Sequence, residues 1–177
     1  MELNDWLKDT SAGDIMMLDV VTLDTDDLLA EAATVLLHQG ISGAPVIDED
    51  GVCVGVLSVS DVVAADEKVA AEQEKIADST FWKSDLVLPM HIYEERLAQV
   101  RDKLAPAAEQ PVKRFMTANL VSARENTPLG TVVQHMVDAH VHRVVILDEQ
   151  KKLRGIISTM DILAALLRAS AVSRREE

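Results

Sequence analysis

The same seven-residue signature occurs twice in this chain, one hundred residues apart: Gly55-Val56-Leu57-Ser58-Val59-Ser60-Asp61 and Gly155-Ile156-Ile157-Ser158-Thr159-Met160-Asp161. Each copy reads Gly, two aliphatic residues, Ser, two spacers, Asp. An apolar run precedes each copy and an Ala-rich apolar segment follows it. Residues 14–66 align with 114–166 at this offset without a gap. Met16 falls on Met116, Val21 on Val121, Leu29 on Leu129, Asp48-Glu49 on Asp148-Glu149 and Ala64-Ala65 on Ala164-Ala165. A duplication of two units is not a solenoid, which needs more copies to bury its core. The signature predicts a strand that stops at the Ser and turns into a helix at the Asp. A hydroxyl, a carboxylate and the free N–H groups of a helix N-terminus then meet at one point. Such a point suits an anion, phosphate above all. The same residues also serve simply to cap a helix.

The elements of one unit follow from its spacing. Val20-Val21-Thr22 forms a short strand, and Asp26-Asp27 open a helix with Leu28, Leu29, Ala32, Ala33, Leu36 and Leu37 on one face. Gly40 ends that helix. Residues 44–47 form a second strand, 48–51 a turn and 52–57 a third strand, before the helix near Asp61. The second unit repeats this with strands at 120–122, 141–147 and 153–157, a helix from about Pro128 and a turn at 148–151. The order is β-α-β-β-α, twice, which makes the chain α+β.

Between the units, Asp66 to Ala77 lacks Gly and Pro and is rich in Ala, Glu and Lys, so the preceding helix is expected to continue. Phe81-Trp82 follow. Met90, Tyr93, Leu97, Val100 and Leu104 are spaced 3, 4, 3, 4 and end before Pro106, a second helical stripe. It packs on the parent units or serves as a partner contact. Residues 2–8 and 163–171 read as helices, and Arg174-Arg175-Glu176-Glu177 as a frayed tail. The chain divides into 1–66, a helical linker at 67–111, and 112–177.

Charge is unevenly spread. Residues 1–66 carry 14 acidic residues against one lysine, a net of −13, whereas 112–177 carry 7 against 10, a net of +3. An acidic chain without a basic stripe argues against nucleic-acid binding. No apolar run approaches the roughly 18 residues of a membrane span, and the acidic N-terminus lacks a signal-peptide pattern. The one cysteine, Cys53, lies among Val52, Val54 and Val56 and fits a strand in a reducing compartment. These features predict a soluble cytoplasmic protein.

With the repeat and its elements in hand, the chain resembles a tandem pair of CBS domains, the regulatory Bateman module. The resemblance rests on Asp14-Ile15-Met16 and Arg114-Phe115-Met116-Thr117, and on Gly43-Ala44-Pro45-Val46-Ile47-Asp48 and His142-Arg143-Val144-Val145-Ile146-Leu147-Asp148. The two Gly-x-x-Ser-x-x-Asp stretches complete it. Val145 stands where the family usually has proline, as at Pro45. The resemblance implies two repeats packed pseudo-symmetrically and a non-catalytic module that senses AMP, ADP or ATP and controls a partner protein. No obligatory cofactor is implied. S-adenosylmethionine or a dinucleotide is the alternative ligand, and a dimerisation module with empty sites the alternative role. Asp61 and Asp161 would bind the ribose hydroxyls, since a carboxylate offers two acceptor oxygens to a vicinal diol. Ser58 and Ser158, with the helix amides, would hold phosphate. Thr22 and Ser122 would lie beside the adenine, with Ile41 and Val141 over its face. His142 and Arg143 belong to the second site, where Arg143 suits a phosphate; Gly43 has no charge to offer. The second site is therefore the favoured one. The family also implies a homodimer, and the charge of the two halves favours antiparallel chains.

His140 and His142 form an H-x-H without an evident third metal ligand. His38, His91 and His135 occupy helical positions. No phosphate-binding loop, nucleophile elbow or metalloprotease motif is present in the sequence. No enzyme is expected.

Overall fold

A computed structural model describes residues 3–65 and 105–173. The expected stripe from Met90 to Leu104, Phe81-Trp82, His91 and the tail from Arg174 lie outside the described residues. The elements are α1 (Leu3–Asp9), α2 (Ala12–Ile15), β1 (Leu23–Asp24), α3 (Leu29–His38), β2 (Gly43–Ile47), β3 (Cys53–Ser58) and α4 (59–65). They continue with α5 (Ala105–Ala108), a 3-10 turn at Val112–Arg114, β4 (Ser122–Ala123), α6 (Leu129–Ala139), β5 (Arg143–Leu147), β6 (Leu153–Ser158) and α7 (Thr159–Ser173). The β-α-β-β-α order holds in both repeats. The first strands start later than the sequence suggests, at Leu23 and Ser122, and the strand expected from Val141 starts at Arg143.

The chain packs as two units that cut across the sequence divisions 1–66, 67–111 and 112–177. Residues 21–50 and 54–118 form the first-repeat unit; residues 1–20, 51–53 and 119–177 form the second-repeat unit. The acidic N-terminal segment therefore packs with the second repeat.

In the first-repeat unit the sheet order is β1-β2-β3, with β1 parallel to β2 and Leu23 opposite Val46. The predicted apolar face of α3 buries Leu29, Ala32, Ala33 and Leu36 against Leu23, Val46, Leu57 and Val62. Phe115 and Val112 close this core. Each fully buried aliphatic side chain contributes about 1.5–3 kcal/mol relative to an exposed one. Gly40, at φ +62°, ends α3: its N–H reaches the Leu37 carbonyl, and the Ile41 N–H reaches that of Leu36.

The second-repeat unit has sheet order β4-β5-β6, with β4 parallel and β6 antiparallel to β5. Leu129, Val132, Met136, Val144, Ile146 and Ile157 form its core, covered by Trp6 and Ala12 from the N-terminal segment. His140 takes the position of Gly40. It sits at φ 52°, its N–H on the Val137 carbonyl and the Val141 N–H on that of Met136. Histidine tolerates this left-handed region better than most residues.

Val145, in place of proline, has a traceable effect. Its N–H donates to the Val121 carbonyl at 3.2 Å, and Ser122 pairs with Val145. Pro45 has no N–H to give, so β1 pairs with β2 only from Leu23 and Val46 onward. The substitution moves the two-residue parallel pair one position toward the strand starts and leaves the register unchanged.

Candidate functional site

Each unit gathers its candidate residues at one end of its sheet. In the second-repeat unit β4 and β5 run parallel and start at this end, while the antiparallel β6 finishes there. Ser122 begins β4, Arg143 begins β5 and Ser158 ends β6. Arg143 stands directly opposite Ser158 in the β5–β6 register. Asp161 follows in the first turn of α7. Val141 and exposed His142 immediately precede β5; Val141 is half-buried against the core cluster.

Ser158 and Asp161 form a capping box. The Ser158 N–H and hydroxyl both donate to Asp161 Oδ2, at 2.8 and 2.6 Å, and the Asp161 N–H donates to Ser158 Oγ at 3.2 Å. The Thr159 N–H goes to the His142 carbonyl at 3.1 Å. The serine hydrogen is therefore committed to the carboxylate. Ser158 positions Asp161, and a phosphate would take its hydroxyl only by displacing that bond. Asp161 Oδ1 has no hydrogen bond from the described residues.

The first-repeat unit repeats the box. The Ser58 N–H and hydroxyl donate to Asp61 Oδ2 at 2.8 and 2.5 Å, the Asp61 N–H reaches Ser58 Oγ at 3.3 Å, and the Val59 N–H reaches the Ser42 carbonyl at 3.0 Å. Thr22 is exposed and lies just before β1, so it is not the strand end that the sequence suggests. Ile41 lies before β2, half-buried against the core. Gly43 faces Ser58: a Cβ on Gly43 would lie 3.3 Å from Ser58 Cα and 3.4 Å from its Cβ. The two ends are thus alike in their carboxylate and serine and differ where Arg143 replaces Gly43.

Sequence reasoning missed one contributor. Met17 pairs with Ile156 through reciprocal N–H···O bonds of 2.9 and 3.1 Å, and Thr117 pairs with Val56 through bonds of 2.9 and 3.0 Å. Both partners lie within the signatures. The signal was available in the repeated methionines at 16 and 116, whose purpose the spacing alone does not disclose. The signature glycines fit this crossing: a Cβ on Gly155 would meet Met16 Sδ and the Met17 carbonyl at 2.8 Å each.

A depression of about 600 Å³ lies at the opposite end of the first-repeat sheet, lined by Asp24, Thr25, Asp26, Ile47, Asp48, Glu49, Asp50 and Lys113. Lys113 pairs with Asp26 at 2.7 Å. Five carboxylates make it unsuited to a phosphate. Among the described residues no group of three His, Cys, Asp or Glu side chains is arranged to hold a metal, and His140 is an exposed helix end. No helix among them is long and apolar enough to cross a membrane. Cys53 is buried, as a strand residue should be.

The sequence model of the CBS domain matches residues 12–68 and 112–168. An uncharacterized protein of Methanocaldococcus jannaschii is 26% identical over 154 residues, 87% of this chain and 89% of that protein. The gamma subunit of 5'-AMP-activated protein kinase from Dictyostelium discoideum is 31% identical over 149 residues, 84% of this chain but 22% of that subunit. Among solved structures, CBSX2 in complex with AMP superposes with a TM-score of 0.65 at 19% identity, covering 90% of this chain and 98% of that one. At that identity the likeness speaks for the fold.

Proposed function

The chain belongs to the CBS domain family, and from that premise we propose that it is a regulatory, non-catalytic module that binds an adenine nucleotide and so controls a partner protein. The observation that carries this reading is the juxtaposition of Arg143, Ser158 and Asp161 at one sheet end, with no hydrogen bond to Asp161 Oδ1 from the described residues. Asp161 takes the ribose diol through that oxygen. Arg143 takes a phosphate, for which a guanidinium supplies paired donors. Ser122 and Val141 flank the adenine, with His142 at the rim. Asp61, Ser58, Thr22 and Ile41 form a weaker counterpart, with Gly43 in the place of Arg143. The names of two similar proteins, an AMP-activated kinase subunit and an AMP complex, support the choice of ligand class.

The protein acts as a cytoplasmic homodimer in this reading. A stripe on α7 supports the dimer: Met160, Leu163 and Leu167 are 69%, 52% and 70% exposed, and contiguous apolar exposure marks interaction surfaces. Charge gives little guide to orientation. By packing unit the first-repeat unit holds 18 acidic against 8 basic residues, a net of −10, and the second-repeat unit 12 against 9, a net of −3. Both are acidic, so the complementarity expected from the sequence halves is lost.

A second reading, a dimerisation module with empty sites, is favoured by one observation: each Ser-Asp pair is already satisfied as a helix cap. Thermal unfolding separates the two. A ligand confined to the folded state stabilises it by about 2.7 kcal/mol at one hundred times its dissociation constant. A rise in melting temperature with AMP, ADP or ATP supports the sensor. A rise with S-adenosylmethionine alone changes the ligand, and no rise with any of them favours the empty module.

A further inference from the structure

We propose that the residue after the crossing methionine, Thr117 in the first-repeat unit and Met17 in the second, decides which unit's aspartate is open to a ligand. The assignment rests on the nucleotide reading above and names a specificity determinant within it. Thr117 is held on β3 by its two bonds to Val56, and its hydroxyl reaches Asp61 Oδ1 at 3.5 Å. Asp61 Oδ2 already accepts both Ser58 hydrogens. Both oxygens of Asp61 therefore face donors from the protein.

Met17 is held against Ile156 in the same way, but a thioether donates no hydrogen. Both bonds to the Asp161 carboxylate from described residues come from Ser158, and both fall on Oδ2. Asp161 keeps Oδ1 for a diol, whereas Asp61 must first shed Thr117. This asymmetry adds to that of Arg143 and Gly43 and acts on the sugar rather than the phosphate.

The test exchanges the two residues in the full chain, with AMP binding read by calorimetry. An Asp161→Ala background reads the first-repeat site. There Thr117→Val, which exchanges the hydroxyl for a methyl group, and Thr117→Met both tighten binding by about threefold, within the range for an ordinary single hydrogen bond and in keeping with the 3.5 Å contact. An Asp61→Ala background reads the second-repeat site, where Met17→Thr weakens binding by a similar factor. Thr117 and Met17 are both exposed, and unchanged melting temperatures without ligand confirm that folding is intact. If the wild type binds AMP and these variants match their parents, this assignment is wrong. If the wild type gives no binding heat at all, the nucleotide reading itself falls, and this assignment with it.

Discussion

Arg143 stands directly opposite Ser158 across the antiparallel pair of β5 and β6. Ser58 in the other repeat has only Gly43 before it. Two copies that share a carboxylate and a hydroxyl are thereby separated by one guanidinium. Arg143→Ala is expected to weaken AMP more than adenosine, because the lost interaction is with phosphate. A charge-assisted hydrogen bond contributes roughly 1.5–3 kcal/mol, so AMP affinity falls by about tenfold or more. Equal losses for AMP and adenosine, measured by calorimetry, place Arg143 elsewhere.

His140 and Lys151 occupy left-handed backbone, at φ 52° and 60°, where the first repeat has Gly40 and Gly51. The left-handed penalty is about 1–2 kcal/mol per residue, offset by the ~0.5–1 kcal/mol of extra entropy that glycine loses on folding. His140→Gly and Lys151→Gly are each expected to stabilise the protein by about 0.5 kcal/mol. Urea denaturation checks this; destabilisation by His140→Gly shows that the imidazole has a role of its own.

Gly155→Ala is expected to destabilise by about 1–3 kcal/mol, the range for forcing a group into a packed site. The added carbon meets the Met17 carbonyl at 2.8 Å, and that backbone is fixed by two bonds to Ile156. Gly55→Ala is expected to cost less. Its nearest obstacle, at 2.7 Å, is the Met116 sulfur, which can move, and the Thr117 carbonyl is 3.1 Å away. Paired melting curves that reverse this order contradict the packing described.

The repeat, its element order and the core faces were legible because hydrophobic spacing encodes them directly. Leu29, Ala32, Ala33 and Leu36 declare one face of α3 without knowledge of what covers it. What covers the second-repeat core was not legible. Trp6 and Ala12 belong to the first repeat by sequence and to the second by packing, and no local pattern states a long-range partner. Strand starts were misread for a related reason. Pro45 and Val145 decide them through an N–H on the neighbouring strand, which the strand's own residues do not report. At the site, Ser58, Asp61, Ser158 and Asp161 were found and capping was one reading of them; the bonds that tie each serine to its aspartate emerged only from the geometry.

Asp14 provides a test of local structure that needs no ligand. The Ser11 hydroxyl and N–H donate to its carboxylate at 2.7 and 2.8 Å and hold its pKa below the ordinary 3.8. A lowered folded pKa means that the contribution is complete above the unfolded value and is lost as pH falls through the folded one. Titration by NMR is expected to give an Asp14 midpoint below 3.8, moving up in Ser11→Ala. An unmoved midpoint in that variant contradicts the cap.

The central claim is that the second-repeat unit binds an adenine nucleotide through Asp161. Calorimetric titration of AMP into the wild type, Asp161→Ala and Asp61→Ala tests it most directly. The account predicts saturable binding by the wild type. It predicts a loss of about tenfold or more in Asp161→Ala, as removal of a charged hydrogen-bonding partner implies, and a smaller loss in Asp61→Ala. Equal losses, a larger loss at Asp61, or no binding by the wild type would contradict it.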